Sequence, residues 1–276
     1  MSQPPTTSTQ PPSRSLWCSS GREGPAASSE AMLPVAGSPI TVSEDTCREI
    51  VNDAKQLIIG VIFSANAMTH QTASRQALVT EAVTTAIENR GPEFPNTCFI
   101  SKQHRSEISG NLSLVQGEII GHSWAGIFTA YKLYHPKYST ADPVEFRIAK
   151  VQELTGGPDP LLFMHEQYVD ENGNTVLAKF ENMFIMGIVT RFVWYWGRAS
   201  FVTDSESLIQ RMKFIFAVAG AATNCTLLKQ GTFNIFVNPF TGVFHERKFQ
   251  EILAAFEALN EQHQEKTHTA IALVAI

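Results

Sequence analysis

The sequence predicts an all-α fold: one globular domain of about six or seven helices, with at most one small hairpin, behind a disordered N-terminal tail. Three observations carry this reading. Apolar residues recur at three- and four-residue spacing in one segment after another. Those segments open and close on helix signals such as Asp-Pro and Gly-Gly. Short Val- and Ile-rich runs of the kind a parallel sheet buries are missing. With 276 residues, 43% hydrophobic and including 18 Phe, the chain can bury a sizeable core.

Residues 1–38 are rich in Pro, Ser, Thr and Gly and poor in large apolar side chains, so they form the disordered tail. Order begins at TVSEDTCREIV, where Thr41 and Glu44 form a capping box and Val51, Ala54, Ile58 and Ile62 follow at helical spacing. In SRQALVTEAVTTAIENRG, Leu78, Val79, Ala82, Val83, Ala86 and Ile87 make two adjacent rows, and Gly91-Pro92 ends them. A long central segment runs from Ser106 to Tyr134 and turns at His135-Pro136. Asp142-Pro143 starts the next helix, which stops at Gly156-Gly157-Pro158.

Periodicity then lapses. QYVDENGNTVLAKF reads as a hairpin, because Asn172-Gly173 supplies the positive φ angles of a tight turn. FENMFIMGIVTRFVWYW is helical again; Thr203 and Glu206 make a second capping box, and the run Leu208–Leu228 closes at Gly231. In the last helix Phe249, Ile252, Leu253, Phe256 and Leu259 share one face. The helical domain spans residues 39–264, and 265–276 form a C-terminal tail.

The charge balance, 21 Lys plus Arg against 26 Asp plus Glu, contains no basic stripe, which disfavours a dedicated nucleic-acid surface and favours a protein partner. Cys18, Cys47, Cys98 and Cys225 show neither zinc nor disulfide-framework spacing and read as thiols of a reducing compartment. The N-terminus lacks the features of a signal peptide. Of the two most apolar runs, one contains Arg191 and the other is short and contains Asn224, so neither spans a membrane. The expectation is an intracellular protein without cofactor or metal.

Two stretches suggest chemistry. GHSWAG (121–126) comes within one residue of the G-x-S-x-G elbow, and Ser123, Asp204 and His245 follow the Ser…Asp…His order of an α/β-hydrolase. Against this, LSLVQGE is no buried strand, no glycine-rich oxyanion loop precedes it, and the necessary strands are lacking. The helical reading fits better: Ile108, Leu112, Val115, Ile119, Trp124, Ile127 and Tyr131 make one apolar face, with Gly117 and Gly121 placed for close helix approach. In the 170–181 loop, Asp170, Asn172, Asn174 and Glu181 occupy calcium-ligand positions of an EF-hand, but Thr175 stands where glycine is needed. A polar turn is the better reading. His104, His122, His135, His165 and His245 are scattered and form no H-E-x-x-H. The aromatic run Phe192, Trp194, Tyr195, Trp196 reads as core packing or a helix-end anchor before a ligand stack.

Three segments of the C-terminal half, KFENMFIMGIVTRFVWY, FIFAVAGAATNCTLLKQGTF and HERKFQEILAAFEAL, together with the looser SRQALVTEAVTTAIENR, resemble an uncharacterised basidiomycete family of helical proteins, that of the domain of unknown function 6532. The resemblance covers about residues 45–262 and consists of apolar patterning. It implies an all-helical fold and an intracellular fungal origin, and supplies no catalytic residue. The expected function is a non-enzymatic interaction module; the alternative is the serine hydrolase using Ser123, Asp204 and His245.

Overall fold

From Met212 to Leu227 almost every side chain is apolar or small, so no face of that helix suits water and it must be surrounded. The computed structural model describes residues 43–91, 100–138, 140–201, 205–232, 239–259, 261–264, 266 and 269. Its helices are α1 (Glu44–Ile59), α2 (Thr72–Glu88), α3 (Lys102–Ala130), α4 (Pro143–Gly156), α5 (Met183–Thr190), α6 (Ser205–Thr232) and α7 (Gly242–Glu257), with strands β1 (Glu166–Val169) and β2 (Thr175–Ala178) between α4 and α5. Helical structure resumes at 261–264. The fold is all-α, as the periodicity predicts.

α6 is the helix that the others surround: α3, α4, α5 and α7 pack on it, while α1 packs on α2 and α3. Phe216, Val218, Ala219, Ala222 and Leu227 of α6 are fully buried in one continuous core with Phe163, Phe192 and Phe249. Its buried hydroxyls stay within the helix: Thr223 Oγ1 donates to the Ala219 carbonyl at 2.9 Å and Thr226 Oγ1 to that of Ala222 at 3.0 Å. Buried polar groups need such partners, since an unmade bond costs about 1–3 kcal/mol. α7 buries Phe249, Ile252, Leu253 and Phe256, the face read from the sequence.

Local signals set several boundaries. Asp142 caps α4 with Oδ1 accepting from the Val144 and Glu145 amides, and Pro143 occupies the first turn. Asn182 caps α5 through the Phe184 and Ile185 amides. At α1 the cap is Ser43, whose Oγ accepts from the Thr46 amide at 3.2 Å, with Glu44 already in the helix; the expected cap, Thr41, lies outside the described residues. So do Thr203, Asp204 and the tail 1–38.

Three features depart from the sequence reading. α3 ends at Ala130, short of Tyr134, in a Schellman motif: the Leu133 amide donates to the Phe128 carbonyl at 2.9 Å and the Lys132 amide to that of Thr129 at 3.3 Å. Lys132 (φ 52°) takes the left-handed position that glycine usually fills, so the customary stop signal is missing from the sequence. In the hairpin only Gly173 has positive φ (81°); its amide donates to the Asp170 carbonyl at 3.0 Å, and Asn172 stays at negative φ. After α5 the backbone widens into a π-helical turn over Arg191–Tyr195. That turn brings both Phe192 and Val193 into the core, fully buried, and leaves Tyr195 82% exposed.

Candidate functional site

Ser123 lies inside α3 with no solvent exposure, and its Oγ donates back to the Ile119 carbonyl at 3.4 Å. A hydrolase nucleophile must stand exposed on a strained strand-to-helix turn. His245 is buried on α7, with its ring 5.4 Å from that of Phe240, and Asp204 lies outside the described residues. Among the described residues the one sheet is a two-stranded antiparallel hairpin, so this helical fold is not that of an α/β-hydrolase. The hydrolase alternative is corrected on those grounds.

The glycine reading is corrected as well. A Cβ on Gly117 or Gly121 would meet nothing within 4 Å, whereas one on Gly126 would stand 2.5 Å from the Phe184 ring. The close approach between α3 and α5 therefore falls on Gly126.

The 170–181 loop directs its acids elsewhere. Asp170 Oδ1 accepts from the Asn172 and Asn174 amides at 2.9 and 2.8 Å, which hold its carboxyl below the usual range and close the hairpin. Glu181 instead pairs with Lys266 at 2.9 Å, beyond the expected domain end at residue 264. No group of three potential metal ligands is found among the described residues.

His165 is a structural histidine. Its Nδ1 accepts from the Phe180 amide at 3.0 Å and its Nε2 lies 3.2 Å from Asp159 Oδ2. The first bond holds Phe180 at φ 59°, a strained conformation for an aromatic residue, while its ring packs edge-on against His165 and Phe256. Burial keeps His165 neutral by pushing its pKa down, against the opposing pull of Asp159.

The π turn builds a different site. Thr190, Arg191, Trp194, Tyr195 and Trp196 line an open cleft of about 750 Å³, and His122 of α3 faces them across it. The His122 ring lies 4.5 Å from that of Trp196, and Arg191 Nη1 reaches His122 Nδ1 at 3.5 Å. A guanidinium only donates, so Nδ1 is the acceptor and the imidazole proton sits on Nε2. Burial, then the Arg191 charge, lower the His122 pKa, against Glu118, so the ring is neutral.

Beneath the cleft, Arg198 fixes the aromatic wall. Its guanidinium lies 4.4 Å from the Phe192 ring and 5.0 Å from that of Trp196, and pairs with Glu118 at 2.5 Å. His122 Nε2 and Thr190 Oγ1 are buried atoms that make no hydrogen bond to the described protein. Arg191 has no carboxylate within ion-pair distance among the described residues. The arrangement thus offers aromatic faces, one uncompensated cation and two unmade polar contacts. It contains no nucleophile–base pair.

The aromatic run was visible in the sequence, but the pairing of its Trp196 with His122 on a distant helix was not. The available signal was Arg191 itself, a charge in the middle of an apolar run. No family model, curated protein or solved structure matches the chain.

Proposed function

We propose that the protein is a non-enzymatic interaction module of the intracellular fungal family its helices resemble, and that the cleft at the π turn receives an acidic segment of a partner protein. One observation carries this reading: Tyr195 stands exposed between Trp194 and Trp196, beside an arginine that has no counter-ion among the described residues. Trp, Tyr and Arg are the residue types that dominate binding energy at protein interfaces. The Arg198–Glu118 pair holds the wall in place before binding, which reduces the ordering cost of association. A partner carboxylate would neutralise Arg191 while an adjoining apolar side chain covers the rings. A nucleic acid fits less well, because the net charge is −5 and, among the described residues, Arg191 is the cleft's one uncompensated cation.

The test is a peptide library with Asp or Glu beside a hydrophobic residue, screened against the whole protein and followed by tryptophan fluorescence. Binding should fall by at least ~30-fold in Trp194→Ala, the usual loss at an interface anchor. It should vanish in Arg191→Glu, with far-UV circular dichroism unchanged in both. Binding that persists in Arg191→Glu, a preference for single-stranded oligonucleotides, or a robust catalytic turnover would overturn the proposal.

A further inference from the structure

A second groove lies on the other side of α3, where α2 crosses it. Its volume is about 960 Å³, and Val79 is buried at its floor. Two arginines brace it in opposite directions. From α2, Arg75 Nη2 donates to the Ser109 carbonyl at 2.9 Å and lies 3.0 Å from Ser113 Oγ; from α3, Arg105 Nη1 reaches Thr80 Oγ1 at 3.1 Å. Lys102 joins them in the first turn of α3, where the free backbone amides add positive character. Thr72 and Ser106 contribute further hydroxyls.

Among the described residues no carboxylate lines this groove. Glu246 reaches its end, where it is tied to His70 at 2.7 Å. This is unusual in a chain of net charge −5. Several cations elsewhere do find acids: Lys55 with Glu107, Arg90 with Glu49 and Asp53, Lys150 with Glu153, Lys213 with Glu257. Arg75, Lys102 and Arg105 have no such partner among the described residues. Each brace uses one terminal nitrogen of its guanidinium, and the other donors of both forks make no hydrogen bond among the described residues.

We infer that the groove between α2 and α3 is a binding site for a phosphate-bearing ligand, with Arg75, Lys102 and Arg105 as its cationic contacts. Planar arginine forks take two oxygens of a phosphate at once, and a lysine adds a point charge. The hydroxyls of Thr72, Ser106 and Ser113 offer donors for the remaining oxygens. A dianion also suits the site energetically, since Arg75 is half-buried and burial lowers its pKa, with no compensating carboxylate among the described residues. The volume fits a small phosphate monoester or a lipid headgroup.

The experiment uses the whole protein and three probes: inorganic phosphate, glycerol 3-phosphate, and vesicles containing phosphatidic acid, with sulfate as the competing anion. Phosphorus NMR line broadening should show the soluble probes binding in preference to sulfate. Lys102→Gln and Arg105→Gln, both at exposed positions, should each weaken binding by about tenfold, the loss expected of one charge-assisted contact, and their circular dichroism should not change. Retention on vesicles that glycerol 3-phosphate competes away places the phosphate on a lipid. Binding of the soluble ester without retention places it on a small molecule. Failure of every probe to bind, equal binding of sulfate, or affinity unchanged in both glutamine variants would overturn the inference. None of these readouts involves the cleft at the π turn.

Discussion

Gly117, Gly121 and Gly126 all lie in the interior of α3, yet alanine should act differently at each. At Gly117 and Gly121 the added methyl enters open space, so the change removes the backbone-entropy penalty of a helical glycine. Each substitution should stabilise the protein by about 0.8–1 kcal/mol. For a domain of this size that raises Tm by roughly 2–4 °C. At Gly126 the same gain is opposed by contact. The new Cβ would stand 2.5 Å from Phe184 Cε2 and 3.4 Å from two other ring carbons. An ordinary carbon–carbon separation is about 3.5–4.0 Å, so the ring must retreat by about 1 Å. It cannot do so alone, because it packs edge-on against Tyr131 at 5.8 Å, and the Tyr131 hydroxyl donates to the Phe163 carbonyl at 2.9 Å. Overpacking of this kind costs about 1–3 kcal/mol, which leaves Gly126→Ala between neutral and ~2 kcal/mol destabilised. Urea denaturation followed by far-UV circular dichroism measures all three. Adding Phe184→Leu to Gly126→Ala should recover part of the loss in a double-mutant cycle. A destabilised Gly121→Ala, or a Gly126→Ala as stable as Gly121→Ala, would refute the packing argument.

Four further outcomes follow from the same contacts. Ser123→Ala removes a long internal hydrogen bond and a poorer helix former, so stability should change by less than ~1 kcal/mol, and a fluorophosphonate probe should not label the parent protein; labelling lost in the variant would restore the nucleophile. Tyr131→Phe strips the Phe163 carbonyl of its phenolic partner and should cost about 1–2 kcal/mol in the same denaturation, an unchanged midpoint counting against that bond. His165 and His122 are both held below the ordinary histidine value, chiefly by burial, so the unfolded chain binds protons that the native state refuses. Their contribution is present above about pH 6.5 and is lost as pH falls below it; the midpoint should drop in that window, less steeply in His165→Gln, and a flat profile would refute the assignment. Cys225 is buried and its thiol is pushed up to about 11 by burial, so at neutral pH it should resist thiol reagents until the protein unfolds, while half-buried Cys47 reacts before it.

The site residues show where local reading stops. Ser123 and His245 follow a hydrolase order along the chain, but chain order carries no distance, and the serine is sealed within a helix. Gly117 and Gly121 have the spacing of a packing motif, yet which face meets a neighbour depends on the fold, and the neighbour meets Gly126. The aromatic run was readable as a run; the π turn that sends Phe192 inward and Tyr195 outward arises from packing against the core. Arg75 gave no signal, because it is an ordinary helical arginine until α2 and α3 cross; Lys102, His104 and Arg105 are the densest short basic cluster of the sequence, but Glu107 follows them at once.

By itself the sequence determined what depends on near neighbours. Helical periodicity placed the helices, Asp142-Pro143 opened α4, Asn172-Gly173 marked the hairpin, and the apolar run of α6 marked a buried helix. These are matters of turn geometry and of the period at which side chains meet water. Tertiary structure alone decided the rest: the Schellman end at Lys132, the contact at Gly126, the His122–Arg191 cleft and the crossed arginines. Each joins groups from distant parts of the chain or trades local preference for burial, and such contacts exist only once the helices have packed.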